Sequence, residues 1–246
     1  MRFGFVLPGG TATEQLEQAI LAERHGWDGL FVWEAAYGVD PWTLLAAIAQ
    51  RTERIRLGTM LTPLPWRRPW KLASQVVTLD QLSNGRAILA VGLGAVDDSL
   101  GSTGEVVDRR QRAEMMDEGI DIITKLWRGE FTHAGRHYTV DLSPRDEIAR
   151  IAVPLQRIGG VSRIPIWVVG AWNRAQSMRR VLRCDGLLPN VMGEDGHRAM
   201  TPADVAAMRA WLAEHGKAPD FDLIAEGETP TDDPVAARST VQPLAD

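Results

Sequence analysis

Cysteine is nearly absent from these 246 residues: Cys184 stands alone, which excludes an internal disulfide and suits a reducing, cytoplasmic compartment. Long apolar runs are absent too. No stretch reaches the roughly 18 residues that a membrane span needs. Met1-Arg2 leads straight into "FGFVL", too short for the apolar core of a secretory signal. Neither sign of charge dominates, and a net charge of -5 argues against nucleic acid as the main partner. The histidines His25, His133, His137, His197 and His215 are too few and too scattered for a metal site: none follows a strand, and His133 and His137, four apart, straddle a hairpin turn. No Gly-x-Ser-x-Gly elbow is present, and Cys184 sits at the entry of a strand. "GLGAVDDSLG" holds Gly-x-Gly without the third glycine, or the acid about twenty residues on, of a dinucleotide fingerprint. Two tyrosines and five phenylalanines stand against nine tryptophans.

What is present is alternation. "FGFVLP" (3–8), "GLFVWE" (29–34), "IRLGTML" (55–61), "AILAVGLG" (87–94), "IPIWVVG" (164–170), "DGLLPN" (185–190) and "FDLIAEG" (221–227) read as strands. They are continuous apolar runs, the pattern of strands buried on both faces of a parallel sheet. Helices separate them. Thr11 and Glu14 form a capping-box pair, and Asp40-Pro41 opens the second helix. A third helix, from about 70 to 82, ends at Asn84-Gly85. A long helix spans about 107–128, "GEFTHAGRHYTV" (129–140) reads as a hairpin, and 141–163 as an irregular excursion. Thr201 caps a further helix, and Asp233-Pro234 starts the last. Seven βα units predict one (β/α)8 barrel domain over 1–246 that ends before its eighth strand, with an insertion at about 129–163; a flavodoxin-like sheet with additions fits the spacing too.

In such barrels the active site lies at the carboxyl ends of the strands. Those positions hold Pro8, Gly9, Gly10, Glu34, Leu61, Thr62, Pro63, Gly92, Leu93, Gly94, Gly170, Ala171, Trp172, Asn173, Asn190, Glu226 and Gly227. The segment after Gly170 is either a plainly capped helix, with Asn173 as N-cap, or an anion site formed by free N–H groups and Arg174. Trp33, Trp42, Trp66, Trp70 and Trp172 all fall near strand ends and suggest an aromatic-walled pocket for a flat ring. Few ionisable groups join them, so a cofactor is expected to carry the chemistry.

Several stretches resemble the bacterial-luciferase-like flavin and deazaflavin oxidoreductases. They are "MRFGFVLP", "LAERHGWDGLFVWE", the long run from Asp40 to Gly94, "RAEMMDEGIDIITKLWRGEFTHAGRHYTV" and "IPIWVVGAWNRAQSMRRVLRCDGLLPN". The resemblance implies a luciferase-like TIM barrel that binds FMN or the deazaflavin coenzyme F420. It implies hydride transfer to a small organic substrate, or its oxygenation. O2 or a flavin or deazaflavin reductase would be a partner, and the chain would form a homodimer. Thr59, Met60, Leu61 and Thr62 would lie against the ring, near a cis peptide that does not involve proline. Gly92, Leu93 and Gly94 would pass beneath the ring, and Gly170, Ala171, Trp172 and Asn173 would take the phosphate. Trp33, Trp42, Trp66 and Asn190 would line the substrate pocket. "TPLPWRRPW" would form a rigid wall, Pro69 marking a helix start and Arg67 and Arg68 facing solvent. Many deazaflavin-dependent members carry an acid-His pair after the second strand; here the segment is Glu34-Ala35-Ala36-Tyr37, leaving Glu34 and Tyr37 as the groups to polarise a substrate. The missing histidine keeps open a non-catalytic relative of the same fold. A barrel acting on phosphorylated sugars without a flavin is the third alternative.

Overall fold

A computed structural model describes residues 1–95, 103–143, 164–193 and 196–245. Residues 96–101 of "GLGAVDDSLG" and most of the excursion expected at 141–163 lie outside them. The chain divides into two compact units, residues 2–164 and residues 165–246 with Met1.

In the first unit, strands β1 (Gly4–Val6), β2 (Gly29–Val32), β3 (Arg56–Thr59) and β5 (Ala87–Gly92) run parallel in that spatial order, and the two-residue strand β4 (Thr62–Pro63) also pairs with β5. Helices α1 (Ala12–Arg24), α2 (Pro41–Ala49) and α3 (Pro69–Leu82) connect them, and α4 (Arg109–Trp127) follows β5. The local signals act as read. Thr11 and Glu14 close the capping box, Asp40 accepts the Thr43 N–H at 2.8 Å, and Pro69 opens α3. Asn84 and Gly85 both take positive φ where α3 ends. The core is built from both layers: Leu30, Leu57, Ile88 and Leu89 of the sheet and Leu45, Ile48, Leu72 and Val76 of the helices are all 1% exposed or less. Each such side chain contributes about 1.5–3 kcal/mol by leaving water.

The expected hairpin forms as β6 (Thr132–Ala134) and β7 (Thr139–Asp141). Its turn is held by one carboxylate on α4. Glu118 accepts the backbone N–H of Arg136 at 2.9 Å and those of His137 and Tyr138 at 3.1 Å. Burial works to raise the pKa of Glu118, but these donors outweigh it and hold the group below its ordinary value.

In the second unit, β8 (Ile166–Ala171), β9 (Gly186–Asn190) and β12 (Asp222–Leu223) are parallel, with β9 paired to both others. Helix α5 (Ala175–Val181) joins β8 to β9. A small antiparallel pair, β10 (Met192–Gly193) and β11 (Gly196–His197), precedes α6 (Pro202–Glu214), and α7 (Pro234–Ala245) comes last. Thr201 and Asp204 form a capping box, with Arg198 holding the Asp204 carboxyl well below the usual carboxylate range. The strand expected over 221–227 shrinks to two residues, because the chain beyond Ile224 is polar and exposed.

Candidate active site

Strand β2 stops at Val32, two residues earlier than its apolar run suggests, so Trp33 and Glu34 stand on the turn that follows. The Glu34 side chain is only 4% exposed. Strand β3 ends at Thr59, and the next turn contains a cis Met60–Leu61 peptide, the non-proline cis bond that the resemblance implied. Thr62 then pairs with Val91 of β5, which brings its hydroxyl beneath β2. Pro63 and Pro65 carry the chain through a single 3-10 turn (Leu64–Trp66), closed by Arg67 N–H on Leu64 C=O at 3.0 Å. That turn aims the Arg67 side chain back at Glu34.

The result is a closed polar relay. Arg67 Nε donates to Glu34 Oε1 at 2.5 Å, and its Nη2 contacts the same oxygen. The Thr62 hydroxyl donates to Glu34 Oε2 at 2.7 Å. A hydroxyl has one proton to give, so Thr59 is the donor in the 2.8 Å Thr59–Thr62 contact. Both threonines are fully buried. Burial pushes the Glu34 pKa up; Arg67, Thr62 and the Trp42 indole pull it back only in part. The Trp42 N–H lies close enough to favour the ionised carboxylate without reaching hydrogen-bond geometry. Arg67 is therefore not the solvated cation expected. It is tied down because a buried carboxylate needs a partner. Arg68 does face solvent, 6.0 Å from the centre of the Trp70 ring.

The tryptophans separate. Trp42 is in the core, 5% exposed, and Trp66 is half-buried; the indole nitrogens of both are buried and have no hydrogen-bond partner. Trp70 packs edge-on against Tyr138 in a small cluster with Ile122 and Val140. Trp33 and Tyr37 are 69% and 98% exposed, so neither is brought to the relay.

After β5, Gly92 pairs with Pro63, and Gly94 has φ +76°. A Cβ on Gly94 would stand 2.7 Å from Pro63 Cβ, so only glycine fits this turn. The carbonyls of Leu93 and Gly94 both accept from Arg112 Nη2, the second at 2.9 Å. Arg112 was not singled out from the sequence, yet its side chain is 1% exposed. A signal existed. Arg112, Met116, Gly119, Ile120 and Ile123 form one buried stripe at helical spacing along α4, and a cation in an apolar stripe is a reason to look for its partner.

In the second unit the turn after β8 is more self-contained than the sequence suggested. A Cβ on Gly170 would stand 2.4 Å from Leu187 and 2.9 Å from Val181, so this glycine lets α5 and β9 pack on β8. The Ala171 N–H donates to Ser177 Oγ and the Trp172 N–H to Asn190 C=O, each at 2.9 Å. Asn173 is not the N-cap: it takes φ +65°, and Arg174 occupies the cap position without a side-chain hydrogen bond. Asn190 Oδ1 is buried and has no partner, and the Trp172 ring meets Trp211 edge-on at 6.3 Å.

A parallel sheet alternating with helices is shared with known proteins. A flavin-dependent oxygenating component of 3,6-diketocamphane monooxygenase from Pseudomonas putida, solved with FMN, superposes with a TM-score of 0.69 at 23% identity, over 89% of this chain and 64% of that one. An F420-dependent secondary alcohol dehydrogenase, solved with an F420-acetone adduct, gives 0.70 at 22% identity, over 90% of this chain and 66% of that one. In sequence, a putative coenzyme F420-dependent oxidoreductase of Mycobacterium tuberculosis is 30% identical over 244 residues, 93% of this chain and 65% of that protein. The chain spans between 23% and 65% of the length of curated relatives that it matches. The model of one family, described as luciferase-like monooxygenase, matches residues 1–245, and the chain belongs to that family.

Proposed function

We propose that this chain serves a flavin- or deazaflavin-dependent oxidoreductase acting on a small organic substrate, within the (β/α)8 barrel that the sequence suggested. The observation that carries the reading is two buried indole N–H groups without a hydrogen-bond partner: that of Trp42, near the Glu34 carboxylate that Arg67 and Thr62 hold, and that of Trp66, next to Arg67 in the chain. Such a set fits a planar ring bearing carbonyl acceptors. FMN or F420, when bound, supplies hydride transfer or oxygen activation.

The chain's residues then hold, orient and insulate. The turn from Thr59 to Thr62 is fixed by the relay to Glu34, and Gly92 to Gly94 by Arg112. Of the two sequence candidates for polarising a substrate, Glu34 is the better supported, through burial and a raised pKa; the exposure of Tyr37 supports no role. The homodimer, the cytoplasmic location and the use of O2 or a reductase belong to the same reading.

Titration of the protein with oxidised FMN and, separately, F420 tests it, with tryptophan fluorescence as the signal. One cofactor is expected to quench saturably. Trp66→Phe, which keeps the ring and removes the N–H, is expected to weaken that cofactor about tenfold, the effect of a lost hydrogen bond of about 1.4 kcal/mol. No binding of either cofactor by the unmodified protein would overturn the reading.

A further inference from the structure

Among the described residues of the first unit, Arg112 is the buried cation that lacks an opposite charge. Its Nη2 is spent on the Leu93 and Gly94 carbonyls, and its Nε is buried without a partner. Among the described residues no carboxylate pairs with it. The charged neighbour that acts on it is Arg109, also a cation, so burial and repulsion both work against its charge. Arg67 differs, since it has Glu34. Arg86 differs as well, since Glu23 and Glu53 favour its charge. A guanidinium taken out of water without a counter-charge is a costly feature. Here it is fixed under the turn after β5, where a Cβ on Gly94 would meet both Pro63 and Arg112. What completes such a site is a diffuse negative charge.

The cofactor reading above supplies one, and the inference rests on it. An oxidised flavin ring is neutral. The same ring after gaining two electrons and one proton carries one negative charge. We propose that Arg112 is a positioning residue with an electrostatic consequence: acting through the Leu93–Gly94 turn, its fixed charge makes the site prefer the reduced, anionic ring over the oxidised one. Charge placed near a flavin ring is one of the ways a protein sets the ring's electronic preference.

The test measures dissociation constants of oxidised and reduced FMN, anaerobically, for the unmodified protein and for Arg112→Gln and Arg112→Lys; failure of the unmodified protein to bind either form of FMN overturns the inference. Hydrogen exchange of amides 92–95 is followed in the cofactor-free protein. Arg112→Gln keeps a donor and loses the charge. It is expected to weaken the reduced form about tenfold more than the oxidised form, which lowers the two-electron potential of the bound ring by about 30 mV. Arg112→Lys keeps the charge and loses the double carbonyl tie. It is expected to hold the preference within about threefold while amides 92–95 exchange faster. Equal weakening of both forms by Arg112→Gln overturns the proposal, as does loss of the preference in Arg112→Lys. Should Arg112→Gln fail to fold, the lysine variant decides alone by the same criterion. If the unmodified protein binds neither cofactor, the functional reading falls and takes this inference with it. If it binds and the preference is unmoved by Arg112→Gln, this inference alone falls.

Discussion

At the amino ends of β2, β3 and β5, charged groups are spent on the backbone. Glu23, at the end of α1, accepts the N–H groups of Glu53, Arg54 and Ile55 at 2.8–3.0 Å. Asp28 accepts the Phe3 N–H at 2.7 Å. Arg86 donates to the carbonyls of Ala49, Thr52, Ile55 and Ser83 and to the Thr52 hydroxyl, all at 2.7–3.0 Å. At the carboxyl ends of the same strands the charges are less well matched. Among the described residues, the Glu34 pKa is pushed up, Arg112 has no counter-charge, and two indole N–H groups are unsatisfied. One end of the sheet is finished by the chain itself. The other is left with donors and a field that the chain does not use, and unsatisfied buried groups are where a ligand gains most. That contrast, more than any one residue, supports the proposal that function lies at the carboxyl ends.

The largest effect that would sharpen the contrast is at Arg86. Arg86→Met leaves three carbonyls of the strand entries and the Thr52 hydroxyl without their charged donor. A destabilisation of at least about 3 kcal/mol is expected in urea unfolding, since hydrogen bonds to charged groups contribute about 1.5–3 kcal/mol each and are not additive. Cofactor binding, measured well below the unfolding midpoint, should be nearly unchanged. Loss of binding in a folded variant would break the division between the two ends.

Glu23→Ala ranks next, at about 2 kcal/mol, for one carboxylate that serves three N–H groups near the surface. The pH dependence has a definite sign. Burial works to raise the pKa of Glu23, but the N–H groups of Ile55, Arg54 and Glu53 outweigh it and hold the folded value below the ordinary 4.5. Its contribution is present above pH 4.5 and is lost as pH falls through the folded value. The variant and the unmodified protein should therefore converge in stability as the solution is acidified below that point.

How much of this could be read in the sequence depends on range. The capping box of Thr11 and Glu14, the Asp40 cap and the Asn84-Gly85 stop all act within a few residues, and local chemistry shows them. Glu34 was legible as an acid just past a strand. Its partner was not: Arg67 lies 33 positions later and is steered there by a 3-10 turn. Arg86 reaches carbonyls 31 to 37 positions away, and Arg112 reaches back 18 to 19. A side chain that donates to a distant carbonyl leaves no mark at the acceptor, since every residue has a carbonyl. Gly170 shows the converse error. A glycine after a strand suggests an open cradle, but here three apolar side chains fill the space.

The smallest and most discriminating effect is expected at Glu34. Its folded pKa is raised above 4.5, opposite in direction to Glu23. Its contribution to stability is therefore fully present below pH 4.5 and is lost as pH rises through the folded value. Glu34→Gln removes that slope. It keeps an acceptor for Thr62, and it leaves Arg67, whose side chain is 26% exposed, free to turn to water. The variant should lie within about 1 kcal/mol of the unmodified protein near neutral pH, where the buried charge and its partners nearly offset each other. The unmodified protein should then gain on it as pH falls toward 4.5. Urea midpoints for Glu34→Gln and Glu23→Ala across the same pH series check this directly. Slopes of opposite sign mean that the carboxyl end of the sheet holds its acid against burial while the amino end welcomes one. Slopes of the same sign mean that Arg67 and Thr62 fully accommodate the Glu34 charge, and the electrostatic difference between the two ends would then rest on Arg112.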